Sequence, residues 1–508
     1  MESVLLKNQL NSKLFQYTNT KSLIVALTCV VLILGYYQIN THLFANGFSS
    51  ATMLYFGEKA LLVFKGNPPK IENVGFVYPL IPYFFILLLK NPFWATAITG
   101  GICVTFILFY LWQNLYKKKH KNIFLLVCIL YGLASPLSLY LFSQQLPSIL
   151  LITLILCSFQ CLYIYSKTSF SIFIFLLGLL SALTLFVHFE VAVIIALWSL
   201  PCSLIISKKA NQHTASLVIV TYFPLIFFVF SWCYLNWLFM ENPVYFFHRW
   251  MAALFYEGME LKRPIAGSHY MSNFKFAFKE LLYNLPLLLP YAILLFTLIK
   301  SNAKKHKVLL SIQLFPLILF AIDIALKGFL RQIGQHFFLI FVATSIYVFI
   351  KLDQLNDYPI SAKLFKMAFF VSLCYSFWSP LHLGSSEEIL FTRAYYGYAN
   401  FQNLEDERRL LEKITDKGKI LLDDTSNYSL VYLTNDPQRF ILPYEYEFET
   451  VAAKPNLFVK YLIFSDDLNK DQILKRFISG TYDLLEDYTL VLVGQFGRYK
   501  LYKVTVNN

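Results

Sequence analysis

The chain has 508 residues, 57% of them hydrophobic and only 14% charged, where a soluble domain carries about 25% charge. That composition excludes an ordinary water-soluble globule. The net charge of +13 does not point to nucleic acid, because most lysines before the tail stand in short clusters between apolar runs, where they set topology.

The first apolar run begins at Ser22 with no small-residue cleavage site, so it reads as a retained first span rather than a secretory signal. Runs suited to spanning follow at roughly 22–38, 93–115, 122–142, 146–165, 169–187, 190–206, 215–239, 285–300, 308–328, 333–350 and 364–380. The run 76–89 is too short to cross a ~30 Å hydrocarbon core and is expected to be a re-entrant or half-depth helix. Ahead of it, Ser49 or Ser50 can cap a helix running to about Phe64, which Gly66, Asn67, Pro68 and Pro69 stop. Tyr78 and Pro79 then set an interfacial anchor and a fixed entry angle. All eight cysteines (29, 103, 128, 157, 161, 202, 233 and 374) fall inside apolar runs, which argues against disulfides and a zinc cluster.

Basic loops orient the spans. Lys7, Lys13 and Lys21 put the N-terminus on the cytoplasmic side, with the cluster Lys117, Lys118, Lys119 and Lys121. Lys208 and Lys209, then Lys304, Lys305 and Lys307, and finally Lys351 and Lys363 mark further inner loops. These constraints agree if the chain crosses eleven times. The loops 39–75, 188–190, 240–284 and 329–332, and everything after about residue 381, then face outward.

The tail changes character. Leu404–Ile414 reads as a helix with its charges on one face. Lys419–Leu422, Phe440–Leu442, Tyr461–Phe464 and Leu490–Val493 read as short buried strands, Tyr499–Val504 as a closing strand, and 425–432 and 470–479 as helical stretches. The expected architecture is therefore a polytopic α-helical membrane domain over 1–382, followed by a small extracytoplasmic α/β domain over 383–508.

A short helix after the first span, a Gly-Asn-Pro turn and "GFVYPLIP" opening the second apolar run together resemble the GT-C superfamily. "HFEVAVIIAL" at 188–197, "ENPVYFFHRW" at 241–250 and "RQIGQHFFLIF" at 331–341 resemble further outer segments of that family, in order. These are membrane-embedded glycosyltransferases that use lipid-phosphate-linked sugars; protein mannosyltransferases and the lipid A aminoarabinose transferase belong to them. The resemblance implies a polyprenyl-phosphate-linked sugar as donor and a lipid, polysaccharide or protein as acceptor. It places the protein in the plasma membrane as part of the cell envelope machinery, with an inverting single displacement on the outer face. The chain departs from the family at one point: the usual catalytic acid is an Asp early in the first outer loop, and this sequence has no Asp before Asp323.

The reaction needs a carboxylate to take the acceptor's proton and cations to stabilise the departing lipid phosphate. Glu58, Glu72 and Glu190 are the candidate acids. Glu190 stands between two spans, where an ionisable residue usually faces a cavity or partner. No Arg precedes residue 249, and Arg249, Arg263, Arg331 and Arg393 all fall at predicted outer positions that topology charge does not explain. Arg331 and Arg249 are the leading phosphate candidates, since a guanidinium pairs phosphate oxygens in a bidentate way. His336, His248 and Tyr78 join them, and Asp323 reads as an i,i+4 partner of Lys327. Asp423-Asp424 reads as a solvated loop. No cofactor is established by these residues, and a divalent metal at outer carboxylates stays open. Two other readings remain at this point: a non-catalytic glycolipid-binding or scaffolding relative, and a transporter or flippase of a lipid-linked substrate.

Overall fold

The computed structural model describes residues 2–66, 69, 80–116, 122–206, 210–244, 279, 281–300, 307–327, 334–352, 359–398, 404–443, 445, 447–465, 471, 473–474 and 488–506. The chain divides into two compact units. One takes the described residues of Met1–Thr41, Phe93–Tyr234 and Gly258–Thr392, the other those of His42–Pro92, Leu235–Glu257 and Arg393–Asn508.

The first unit is helical. Its elements are α1 (Glu2–Ala45, whose last turn belongs to the second unit), α4 (Pro92–Tyr116), α5 (Asn122–Ala134), α6 (Pro136–Gln144), α7 (Leu146–Thr168), α8 (Ser171–Leu185), α9 (Phe189–Ile206), α10 (Ala210–Met240, whose residues from Leu235 belong to the second unit), α11 (Leu285–Lys300), α12 (Lys307–Lys327), a 3-10 turn Gln335–Phe338 leading into α13 (Leu339–Lys351), α14 (Pro359–His382) and α15 (Ser386–Tyr396, whose residues from Arg393 belong to the second unit). Within the described residues, five helices are long and apolar enough to cross a membrane: Ser22–Ala45, Pro92–Asn114, Leu146–Thr168, Ser216–Leu238 and Ala362–His382. The chain is a multi-pass membrane protein. The run read as one span over 122–142 is in fact two helices, Leu126–Ala134 and Pro136–Gln144, bent by 58°. Pro136 opens α6 at its first position, where its missing N–H costs nothing, and it cannot continue α5.

Several buried polar side chains inside this unit pair with one another. Asn40 donates to Thr96 Oγ1 at 2.9 Å and accepts from Gln144 Nε2 at 2.9 Å, tying α1, α4 and α6. Tyr110 and Tyr347 both donate to Gln160 Oε1 at 3.0 Å. In hydrocarbon such bonds replace water, and small residues let backbones approach. Gly178 of α8 lies so close to α10 that a Cβ there would stand 2.3 Å from the Thr221 carbonyl oxygen. A largely apolar cavity of about 270 Å³ lies among α4 to α7 and α13, lined by Val104, Leu141, Ile152 and Val342 among others, with Gln160 and Tyr347 on its wall.

The second unit holds α2 (Ala51–Lys65), α3 (Leu80–Leu89) and the tail: α16 (Glu405–Lys413), β1 (Ile420–Leu422), α17 (Asp424–Thr434), β2 (Phe440–Ile441), α18 (Phe448–Ala453), α19 (Pro455–Phe458), β3 (Tyr461–Ser465), β4 (Tyr488–Phe496) and β5 (Tyr499–Val506). The strands form one sheet in the order β2-β1-β3-β5-β4, with β2, β1 and β3 parallel and β5 and β4 antiparallel. The three parallel strands are fully buried, as short uninterrupted apolar strands covered on both faces should be. One face of the sheet carries Ile420, Leu422, Phe440, Ile463 and Leu501, and Leu62 of α2 joins that core. The helix after the first span thus packs as part of the tail's α/β layer. A buried polar contact closes the same side: Tyr499 donates to Glu407 Oε1 at 2.8 Å and accepts from Arg498 at 2.7 Å.

Candidate active site

Helix α2 begins where its sequence says it should. Ser50 caps it, its Oγ accepting from the Met53 N–H at 3.2 Å, and Gly66 ends it. Eleven of its residues are buried, charged ones included. Glu58 is fully buried and Lys59 is 9% exposed. An acid and a base side by side inside a small domain need each other or a third group.

The third group is Asp424, the first residue of α17, which is 3% exposed. Lys59 donates a hydrogen bond to Asp424 Oδ2. The same ammonium lies 3.1 Å from Glu58 Oε2, a charge contact without hydrogen-bond geometry, so neither Glu58 oxygen has a hydrogen-bond partner among the described residues. Tyr55 presents its ring 5.5 Å from Lys59 Nζ, and Tyr83 of α3 donates to the Lys59 carbonyl at 3.3 Å. Close packing of α2 on α17 makes this possible. At Gly57, a Cβ would stand 2.7 Å from the Tyr432 ring.

Electrostatics follow from that geometry. Burial pushes the Glu58 carboxyl up to about 8; Lys59 opposes the shift and Asp424 adds to it. Burial works against the Lys59 ammonium, but Asp424 and Glu58 outweigh it and hold the amine charged well above its ordinary range. An acid that titrates near neutrality, beside a fixed positive charge, is equipped to accept and release a proton.

Asp423 and Asp424 follow β1 directly. From β1 the chain steps to β2 on one side and returns to β3 on the other, so the carboxyl end of β1 is where open α/β sheets usually present ligand-binding groups. The reading of this pair as a solvated loop is corrected: both are buried, and Lys59 of α2 neutralises Asp424.

In the helical unit a different acid organises His336. Glu388 is fully buried near the start of α15. Its Oε1 accepts from the His336 N–H and pairs with His336 Nδ1, both at 2.8 Å, while Oε2 accepts from Gln335 N at 3.1 Å and Ser385 N at 2.7 Å. Burial raises its pKa, but the bonds from His336, with that from Ser385, more than offset that and hold the carboxyl below the ordinary range. The Tyr140 ring meets the imidazole edge-on at 5.5 Å.

Of the sequence candidates, Glu58 and His336 have described surroundings, each in its own unit. Arg393 is exposed. Glu190 lies in the first turn of α9 and Asp323 within α12, but their side chains are outside the described residues, as are Glu72, Tyr78, His248, Arg249, Arg263 and Arg331 altogether. Lys59 and Glu388 were missed. Lys59 could have been found as a charge next to Glu58 on a helix otherwise rich in apolar residues. Glu388 carried no signal beyond the Ser385-x-x-Glu388 capping pattern. Among the described residues no group of three or more His, Cys, Asp or Glu side chains is arranged to hold a metal.

Across 94% of this chain and 97% of its own, the crystal structure of ArnT from Cupriavidus metallidurans bound to undecaprenyl phosphate superimposes with a TM-score of 0.53 at 10% identity. The chain has the GT-C fold. The cryo-EM structure of the arabinofuranosyltransferase AftD from Mycobacteria matches over 94% of this chain but only 40% of AftD, with a TM-score of 0.43 and 12% identity. No family model and no curated protein matches the sequence.

Proposed function

We propose that the protein is a membrane glycosyltransferase that moves a sugar from a polyprenyl-phosphate donor to an acceptor hydroxyl on the outer face of the plasma membrane. The observation that carries this reading is Glu58: a buried acid with no hydrogen-bond partner among the described residues, beside a cation, on the helix after the first span of a GT-C fold. In the step itself, the Glu58 carboxylate takes the acceptor proton as the hydroxyl oxygen bonds to the anomeric carbon. The bond from that carbon to the phosphate oxygen breaks with inversion, and polyprenyl phosphate leaves with the electron pair.

Arg331 and Arg249, with His336, His248 and Tyr78, are the groups assigned to the donor phosphate. Glu72 and Glu190 are the other acids that could face the acceptor. The apolar cavity of the helical unit suits an isoprenoid chain, which needs no hydrogen-bond partners. An eleven-span topology with a half-depth helix at 76–89 puts the N-terminus inside and the sheet outside. The ten residues of α3, about 15 Å of helix, suit such a half-depth element.

A binding test probes the donor assignment, and transfer of the sugar to an acceptor separates this reading from a transporter. The purified protein in nanodiscs should bind polyprenyl phosphate, and Arg331→Ala should weaken that binding by tenfold or more. Absence of binding to any polyprenyl phosphate or its sugar esters contradicts the proposal. The missing first-loop Asp favours the second reading, a binding protein without turnover; retained Arg331-dependent binding with no transfer to any acceptor would select it.

A further inference from the structure

The buried salt bridge between α2 and α17 is one-sided. Lys59 has two carboxylates within reach, yet it hydrogen-bonds only Asp424 and leaves Glu58 with a charge contact at 3.1 Å. Asp424 is well suited to win. It stands at the carboxyl end of β1, anchored by a fully buried strand, and opens a turn that breaks at Asn427 before the rest of α17 continues. Gly57 lets the two helices close to the distance the bond requires. Glu58 shares its helix with Lys59 and is next to it in sequence.

We propose that Asp424 is a positioning residue: by drawing the Lys59 ammonium onto itself, it keeps the Glu58 carboxyl free of a hydrogen bond and sets the pH at which that carboxyl loses its proton. This deepens the transferase reading and rests on it for the link to turnover. It also gives the C-terminal sheet a share in the chemistry, since the residue that sets Glu58 belongs to the tail and not to the membrane helices.

Among the described residues, the charged and titratable groups around Glu58 are few. On α2 they are Lys59 and Tyr55, from α3 comes Tyr83, and from α17 come Asp424, Tyr428 and Tyr432. Two opposing effects on Glu58 meet in this set: the negative charge of Asp424 opposes ionisation, and the positive charge of Lys59 favours it. Removing the charge of Asp424 eliminates the first and frees the ammonium to hydrogen-bond Glu58, so both changes push Glu58 toward easier ionisation. Removing the charge of Lys59 does the reverse.

The test uses the full-length protein in nanodiscs. Infrared titration of the protonated-carboxyl band, assigned by its loss in Glu58→Gln, reads the Glu58 midpoint directly and requires no turnover. In the wild type that midpoint is expected near pH 8. Asp424→Asn should lower it by about one pH unit or more, Lys59→Met should raise it, and Asp424→Glu should restore a value near the wild type. With a donor and acceptor in hand, the acid limb of the rate profile should move in step, while the KM for the donor stays unchanged.

A midpoint that is the same in Asp424→Asn and the wild type overturns the inference. If Asp424→Asn fails to fold, Lys59→Met decides alone: an upward shift supports the account and an unmoved midpoint overturns it. Midpoints that shift as stated in a protein whose Glu58→Gln variant still turns over leave Asp424's control of Glu58 standing and remove Glu58 as the base.

Discussion

Replacing Glu388 with Gln tests whether that carboxylate anchors the start of α13. The wild-type group accepts from four donors, two on each oxygen. Glutamine keeps the shape but offers one carbonyl oxygen and one NH2. With the oxygen toward His336, the NH2 faces the Gln335 and Ser385 N–H groups, and two buried donors lose their acceptor. With the amide reversed, the His336 N–H is orphaned, and the imidazole must present Nδ1 as an acceptor. An unsatisfied buried donor costs about 1–3 kcal/mol, and the reversed amide, which orphans one donor rather than two, is the cheaper arrangement, so the variant should lose about 1–3 kcal/mol.

Thermal unfolding in nanodiscs, followed by intrinsic fluorescence, should show a midpoint several degrees lower, at roughly 2–4 °C per kcal/mol. Arg393→Ala, on the same helix but exposed, should stay within about 0.5 kcal/mol of wild type. The sign with pH is also fixed. Glu388 titrates below its ordinary 4.5, so its stabilisation is present above that value and lost as the pH falls through the folded one. The gap between Glu388→Gln and wild type should therefore narrow in acid. A variant that melts with the wild type at pH 7 refutes the anchoring role.

Glu58 predicts the opposite pH trend. Its pKa rises from 4.5 to about 8 on folding, so its contribution to stability is full below pH 4.5 and falls as the pH climbs to 8, by about 5 kcal/mol at 1.36 kcal/mol per unit. Glu58→Gln should flatten that decline in a melt series from pH 5 to 9. Gly57→Ala should drive a Cβ into the Tyr432 ring, lowering the melting midpoint by an amount equivalent to about 1–3 kcal/mol, and Tyr432→Ala in the same chain should relieve part of that loss. Ser50→Ala removes the α2 cap and should cost about 1 kcal/mol in the same assay, with Ser50→Asp close to wild type.

Local signals carried far in this sequence. The cap at Ser50 and stop at Gly66 bound α2 as expected, and each tail strand lies within two or three residues of its predicted place, because short apolar runs between polar turns leave few alternatives. The break at Pro136 was missed because hydropathy sums across a proline without registering it. Long-range pairing was the larger loss. Glu58 and Asp424 are 366 positions apart in the chain, and no periodicity in either segment announces that α2 packs on the tail. The buried state of Asp423-Asp424 was likewise invisible, since two adjacent aspartates after a strand look the same whether water or a lysine faces them. The GT-C resemblance was legible from motif order alone, and the shared fold bears it out at 10% identity.

Single-turnover transfer from a radiolabelled polyprenyl-phosphate sugar, run side by side with donor binding, tests the central claim most directly. A panel of sugars and of lipid, glycan and protein acceptors would be offered to wild type and Glu58→Gln. The account predicts labelled product and released polyprenyl phosphate with the wild type, and a Glu58→Gln protein that binds the donor as tightly but transfers at least a hundredfold more slowly, the ~10²–10⁴ that a positioned base contributes. Equal transfer by the two proteins would contradict it.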